Sequence, residues 1–246
     1  MPATLTRGIY VEEAPRGERR IATPTSTLTA FVGRTLRGPV NEPVTVTSMD
    51  EFTRTFGGAW PASPMWPCVN DYFENGGRAA LIVRVVNGGR RAQLTLPAAD
   101  RGLQLEAQSP GAQEWLRASV DYDNIDLADI KSFNLVLQRV RGPNSERVLA
   151  QEIYARLSVD PSSRRFAADA LLESSLVRMR GPVPAVRPDR TIGPGPSAPV
   201  EWVEAQRAGT DGGPLTNYDI IGSETGASGI FALQKVPDVH LVCIPA

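Results

Sequence analysis

The apolar positions between Met65 and Gly89 change period once. Met65, Val69, Tyr72 and Phe73 recur at helical spacing, with Asn70, Asp71 and Glu74 on the other side, which predicts an amphipathic helix. Asn75-Gly76-Gly77 ends it, because glycine enters the left-handed C-cap conformation without steric cost. Ala79 to Val86 is too apolar for a half-exposed strand and predicts one buried on both faces, with Arg84 its one polar interruption. Asn87-Gly88-Gly89 closes it. Upstream, Thr27–Gly33 and Val44–Val46 predict strands. Ser48 with Glu51 three residues on makes a capping box for a helix that carries Phe52 and Phe56 and stops at Gly57-Gly58.

From Arg91 the pattern becomes alternating. Leu94, Leu96, Leu103 and Leu105 alternate with Thr95 and Gln104, and Leu116–Tyr122 and Ser132–Val140 alternate again. Gly142-Pro143-Asn144-Ser145 turns into Val148–Leu157, and Arg165–Leu172 predicts a short helix. This is a hairpin-rich, mostly β module between two α/β stretches. Residues 181–200 hold six prolines and three glycines, which predicts an extended loop or linker. After the turn Gly209–Pro214 come a helical turn at Asn217–Ile221, an inward-packed Gly229–Leu233, and Val239–Pro245 as another buried strand.

The expected organisation is an N-terminal arm over 1–20 and the first part of an α/β domain over 21–90. An inserted β-rich domain follows over 91–193, then a linker over 194–208 and a return to the α/β domain over 209–246. Within the arm, Gly8, Ile9, Tyr10, Val11, Glu12 and Glu13 form a strand-like patch before the polar, Pro/Gly-containing Pro15–Arg20. Composition leaves two readings open: a terminus with one edge strand, or a strand donated to another sheet.

With 246 residues the chain can bury a core without staples, and a net charge of −1 gives no basic excess for a polyanion, so no nucleic-acid partner is expected. Of the 26 basic residues only Lys131 and Lys235 are lysine, and arginine suits forked pairing with carboxylates. Cys68 and Cys243 lie far apart in the chain in apolar surroundings and predict two buried free thiols in a reducing compartment. The start, MPATLTRGIY, lacks the apolar core of a signal peptide, and no apolar run approaches the ~18 residues of a span, so no direct membrane insertion is expected.

The segments, read in order, resemble the tail sheath proteins of contractile phage tails and contractile injection systems. The matching stretches are Arg7–Glu13, Thr29–Pro43, Phe52–Gly58, Phe73–Arg78 leading into Val83-Arg84-Val85, Ser109-Pro110-Gly111, Phe133-Asn134-Leu135, Leu157–Pro161, Gly209–Gly212 and Leu233–Pro245. The resemblance implies a structural subunit that catalyses nothing, with a subtilisin-like α/β domain, an inserted β domain and an extended arm. It implies stacked rings, commonly hexameric, assembled around an inner tube protein, with baseplate and cap proteins as further partners. Gly8 to Glu13 would be the strand passed to a neighbouring subunit. The implied location is a phage virion tail, or a bacterial cytoplasm holding an assembled injection system. The chain departs from the pattern in two places. The family continues past the Cys243-Ile244-Pro245 strand into a C-terminal region with a second arm, so the sequence reads as cut short. Ala112-Gln113-Glu114-Trp115 also stands where a Trp-Gly-Asn-like string is usual.

Two alternatives accompany this reading: a sheath-derived cap or baseplate component, and a serine hydrolase. Gly226-Ala227-Ser228-Gly229 superficially resembles a nucleophile turn, and His240 is the sole histidine, so any triad must use both. His240 sits in an apolar strand and follows the serine, the reverse of subtilisin-like order, so no catalytic residues are assigned. Asn75-Gly76-Gly77 and Asn87-Gly88-Gly89 match no phosphate-loop pattern, and no cofactor is expected. Asp121, Asp123, Asp126 and Asp129 lack the glycine and glutamate of a calcium loop, so no metal site is assigned and they read as a solvated loop or interface patch.

Overall fold

The computed structural model describes residues 28–126, 128–191 and 201–245. The first elements are β1 (Leu28–Gly33), β2 (Val44–Val46), α1 (Met49–Phe56), α2 (Met65–Glu74) and β3 (Ala80–Arg84). Next come β4 (Arg91–Leu96), β5 (Leu103–Pro110), β6 (Trp115–Asp121), β7 (Ser132–Val140) and β8 (Val148–Ser158). They are followed by α3 (Ala167–Ala170), β9 (Val177–Met179), β10 (Val203–Glu204), α4 (Asn217–Ile221) and β11 (Val239–Cys243). The result is a mixed α/β fold dominated by strands.

One sheet has the order β11-β1-β3-β2, with β1 parallel to both β11 and β3 and β2 antiparallel to β3. Phe31 and Ile82 point to the side covered by α1 and α2 and meet Phe52, Phe56, Met65 and Val69. Ala30, Val32, Leu81 and Val83 point to the other side and meet Ala232 and Leu233 of a 3-10 segment, Gly229–Lys235. Both faces of β1 and β3 are therefore covered, as their unbroken apolar runs require. The Ser48 hydroxyl caps α1 by accepting from Glu51 N–H at 3.2 Å. The returning Glu51 carboxylate accepts from the backbone and hydroxyl of Thr47, one residue before the cap, so the expected box is displaced at its second arm.

The β11 strand departs from its expected burial. Among the described residues it lies at the edge of the sheet, with Leu241 58% and Val242 41% exposed. Only Val239 and Cys243 pack against the two core clusters. Apolar character on both faces predicts double cover, but an edge position withholds one set of neighbours.

The remaining strands form two sheets, β4-β5-β9 and β10-β6-β7-β8, around a single core. Leu94, Leu96, Leu103 and Leu105 of the first face Leu116, Val120, Phe133, Leu135 and Leu137 of the second. The alternation seen in sequence is thus the inward face of each sheet. The Pro-rich stretch is strapped down as far as Thr191. Arg187, Asp189 and Thr191 N–H donate to the carbonyls of Ile130, Pro97 and Val120, and Tyr122 Oη donates to Pro188 O at 2.6 Å. Val203-Glu204, inside the stretch read as a linker, is a strand paired with β6, and Arg207 exchanges bonds with Gln93.

Candidate functional site

The chain crosses between the α/β sheet and the β sheets twice, and the two crossings run side by side. Gly213 N–H donates to Asn87 O at 2.8 Å, Thr210 and Arg90 exchange bonds, and isolated bridges join Asn87 to Gly212 and Gly213. The two glycine-rich turns that the sequence presents separately are therefore one joint. Gly212 shows why glycine is needed: its φ is +75°, and a methyl there would fall 2.0 Å from Asn87 O.

Arg84, the lone polar residue of the buried strand, sits at this joint with 1% exposure. Its Nη1 donates to Gly38 O at 2.8 Å in the loop after β1, and its Nη2 donates to Pro110 O at 2.7 Å at the end of β5. One guanidinium thus bonds an α/β loop and a strand of the β part together. Burial pushes its pKa down to about 10, while Glu114 and Asp211 favour the charged form. Asp211 closes the same corner by accepting from Ala112 N–H at 3.0 Å. Glu114 is buried at 5% exposure, 3.7 Å from Arg139, and burial raises its carboxyl against the pull of Arg139, Arg37 and Arg84.

Two clefts open beside the joint. The larger, about 640 Å³, is lined in part by Arg37, Arg54, Arg139 and Arg178, with Glu42 and Glu114. The smaller, about 340 Å³, is lined by Leu36, Arg37, Gln113, Arg141, Arg147 and Leu149. Arg37 lowers its own reach by donating to Thr53 O and Arg54 O, which caps the carbonyl end of α1. Burial and the neighbouring Arg139 both lower its pKa. Of the six arginines lining the two clefts, Arg37 and Arg178 are spent on backbone carbonyls and Arg139 on Glu114, which leaves Arg54, Arg141 and Arg147 to face carboxylate groups from outside.

The sequence-assigned strand Gly8, Ile9, Tyr10, Val11, Glu12 and Glu13 lies outside the described residues. Ser228 Oγ accepts from Ser223 N–H at 2.9 Å, which holds it within its own glycine turn, and His240 is exposed on the sheet edge. Among the described residues no carboxylate forms an ion pair with His240. The aspartates of the β6–β7 connection are used locally. Asp123 pairs with Arg190 at 2.7 Å, Asp121 accepts from Asn134, and Asp126 and Asp129 accept from nearby backbone N–H groups. The Arg84–Glu114 corner was missed as a site. The signal for half of it was present, since a charge inside a doubly buried strand needs polar partners.

No family model and no curated protein matches the sequence. Among solved structures, the fold is similar to that of a sheath tail protein from Listeria innocua, with a TM-score of 0.50 at 12% identity, over 89% of this chain and 39% of that one. A sheath tail protein from Desulfitobacterium hafniense aligns with a TM-score of 0.49 at 15% identity, over 96% of this chain and 45% of that one. The chain therefore spans less than half the length of either structure.

Proposed function

We propose that this chain is, or belongs to, a structural subunit of a contractile tail sheath, which polymerises around an inner tube and contracts to drive the tube through a target envelope. The observation that carries the reading is the likeness of fold to a sheath tail protein across 89% of the chain. The ordered match of short stretches from Arg7 to Pro245 supports it independently. In this reading the α/β sheet is the subtilisin-like body, the two-sheet β part is an insertion, and Gly8–Glu13 is a strand donated to a neighbouring copy. The subunit works mechanically and not as an enzyme, in a phage tail or an assembled injection system. Its partners are further copies of itself, the tube protein, and baseplate and cap proteins.

Contraction requires bodies to change neighbours without separating. Surface ion pairs suit such a change because each is weak and reversible. The arginine-lined clefts beside the joint are where carboxylates of adjacent copies would pair in one packing and exchange in the other. The test is negative-stain microscopy of the purified full-length gene product. Long hollow helical sleeves are the expected result. A single discrete ring would replace the sheath by a cap or baseplate component, and a dispersed monomer would remove the reading.

A further inference from the structure

Two cysteines far apart in sequence, Cys68 on α2 and Cys243 on β11, pack against one core cluster. Met65, on the first turn of α2, lies over Gly33, where a methyl would fall 2.9 Å from Met65 Cε and 3.9 Å from Pro245 Cδ. Further along α2, the Tyr72 ring stands edge-on to Phe31 at 5.5 Å, and Phe31 is the cross-strand neighbour of Cys243. Cys68 lies between Met65 and Tyr72 on the same face of α2, at helical spacing from each. Cys243, paired in register with Phe31, faces the same side of the sheet as that ring, the side covered by α2. Cys68 from the helix and Cys243 from the strand therefore both point into the layer between α2 and the sheet. Both are free, both are half-buried, and both pack against the same cluster. Burial raises the Cys68 thiol first, and the proximity of Cys243 raises it further.

We infer that Cys68 and Cys243 are an oxidation site, closing into an intramolecular disulfide that staples the edge strand β11 to α2. With a small disulfide as oxidant, one cysteine thiolate attacks a sulfur of the reagent and expels its thiolate. The second cysteine thiolate attacks the resulting mixed disulfide, forms the Cys68–Cys243 bond and releases the other half of the reagent as thiolate. Two electrons pass to the oxidant and the two cysteine protons leave to solvent. The staple fastens the strand whose outer edge has no partner among the described residues. The inference stands apart from the sheath reading, since it concerns a contact inside one chain.

The test treats the folded protein with oxidised glutathione, blocks remaining thiols with iodoacetamide, and measures intact mass and cross-linked tryptic peptides. The expected result is a monomer that has lost two hydrogens, carries no glutathione, and yields one linked peptide pair containing Cys68 and Cys243. Its Tm rises by on the order of 10 °C and returns on reduction, because the bond closes a very long loop. The Cys243→Ser variant, under the same treatment, keeps Cys68 free or carries one glutathione there. Wild-type protein that retains both thiols, takes up a glutathione on each, or links only between molecules overturns the inference.

Discussion

Arg84 offers the sharpest test of what holds the two parts of the fold together. Its guanidinium makes two charge-assisted bonds, to Gly38 O at 2.8 Å and Pro110 O at 2.7 Å. Such bonds contribute about 1.5–3 kcal/mol each. Against them stands the penalty of burying the charge: a fall from 12.5 to about 10 corresponds to roughly 3 kcal/mol. The electrostatic balance is then about 0–3 kcal/mol in favour of the arginine. The stem packs three methylenes at about 0.8 kcal/mol each, adding about 2 kcal/mol. Arg84→Ala should therefore destabilise by about 2–5 kcal/mol. Arg84→Met keeps most of the stem and removes the buried charge, so it should lose only about 0–3 kcal/mol. Arg84→Lys keeps the charge, lacks the fork, and should fall between them. Urea titrations followed by tryptophan fluorescence give all three values. An Arg84→Ala protein within about 0.5 kcal/mol of wild type would refute the role of the joint. Equal losses for Ala and Met would refute the division between stem and charge.

Gly212→Ala should destabilise by more than about 2 kcal/mol, since the φ of +75° is strained for alanine and the methyl meets Asn87 O at 2.0 Å; thermal melting measures it. Phe52→Ala removes a side chain 1% exposed and should lower stability by about 3–5 kcal/mol in the same titration. Glu114, raised by burial, binds its proton more tightly folded than unfolded, so its contribution to stability falls as pH rises from near 4.5 through its folded pKa. The Glu114→Gln protein should lack that slope when its pH profile is compared with wild type. Asp160 has the opposite sign: held far below 3.8 by Lys131 and Ser162, it gives stability that is present above 3.8 and lost as pH falls further. The Asp160→Asn profile should be flatter in strong acid. Ile153→Lys, on the exposed face of the edge strand β8, should shift stability by less than about 0.5 kcal/mol while raising solubility.

Most local structure was legible in the residues because its causes are local. The period of Met65, Val69 and Tyr72 marks one face of α2, and the same period reasoning marks β3 as doubly covered. The alternation of Leu103 and Leu105 against Gln104 marks the inward face of β5. Asn217–Ile221 was visible as a helical turn, although its cap was overlooked: Thr216 and Asp219 bond reciprocally at its start. The Pro-rich stretch was legible as extended chain but not as strapped, because proline content reports missing donors and not the carbonyls that nearby N–H groups find.

What lies far apart in sequence was settled only by the tertiary structure. An apolar pattern states that a face is buried and is silent about what buries it. Arg84 was plainly a charge within a buried strand, yet its acceptors are 46 and 26 residues away. Asn87-Gly88-Gly89 and Gly209–Gly213 each looked like a turn, and only the fold laid them against each other. Cys68 and Cys243 belong to the same case. The edge position of β11 shows the limit most directly: Val239–Cys243 carries the composition of a covered strand, but cover is a property of neighbours, and neighbours are chosen by the whole chain. The sequence by itself determined the periods and the one misplaced charge; the partners of each were decided by topology, because contact between distant segments depends on how every intervening element packs.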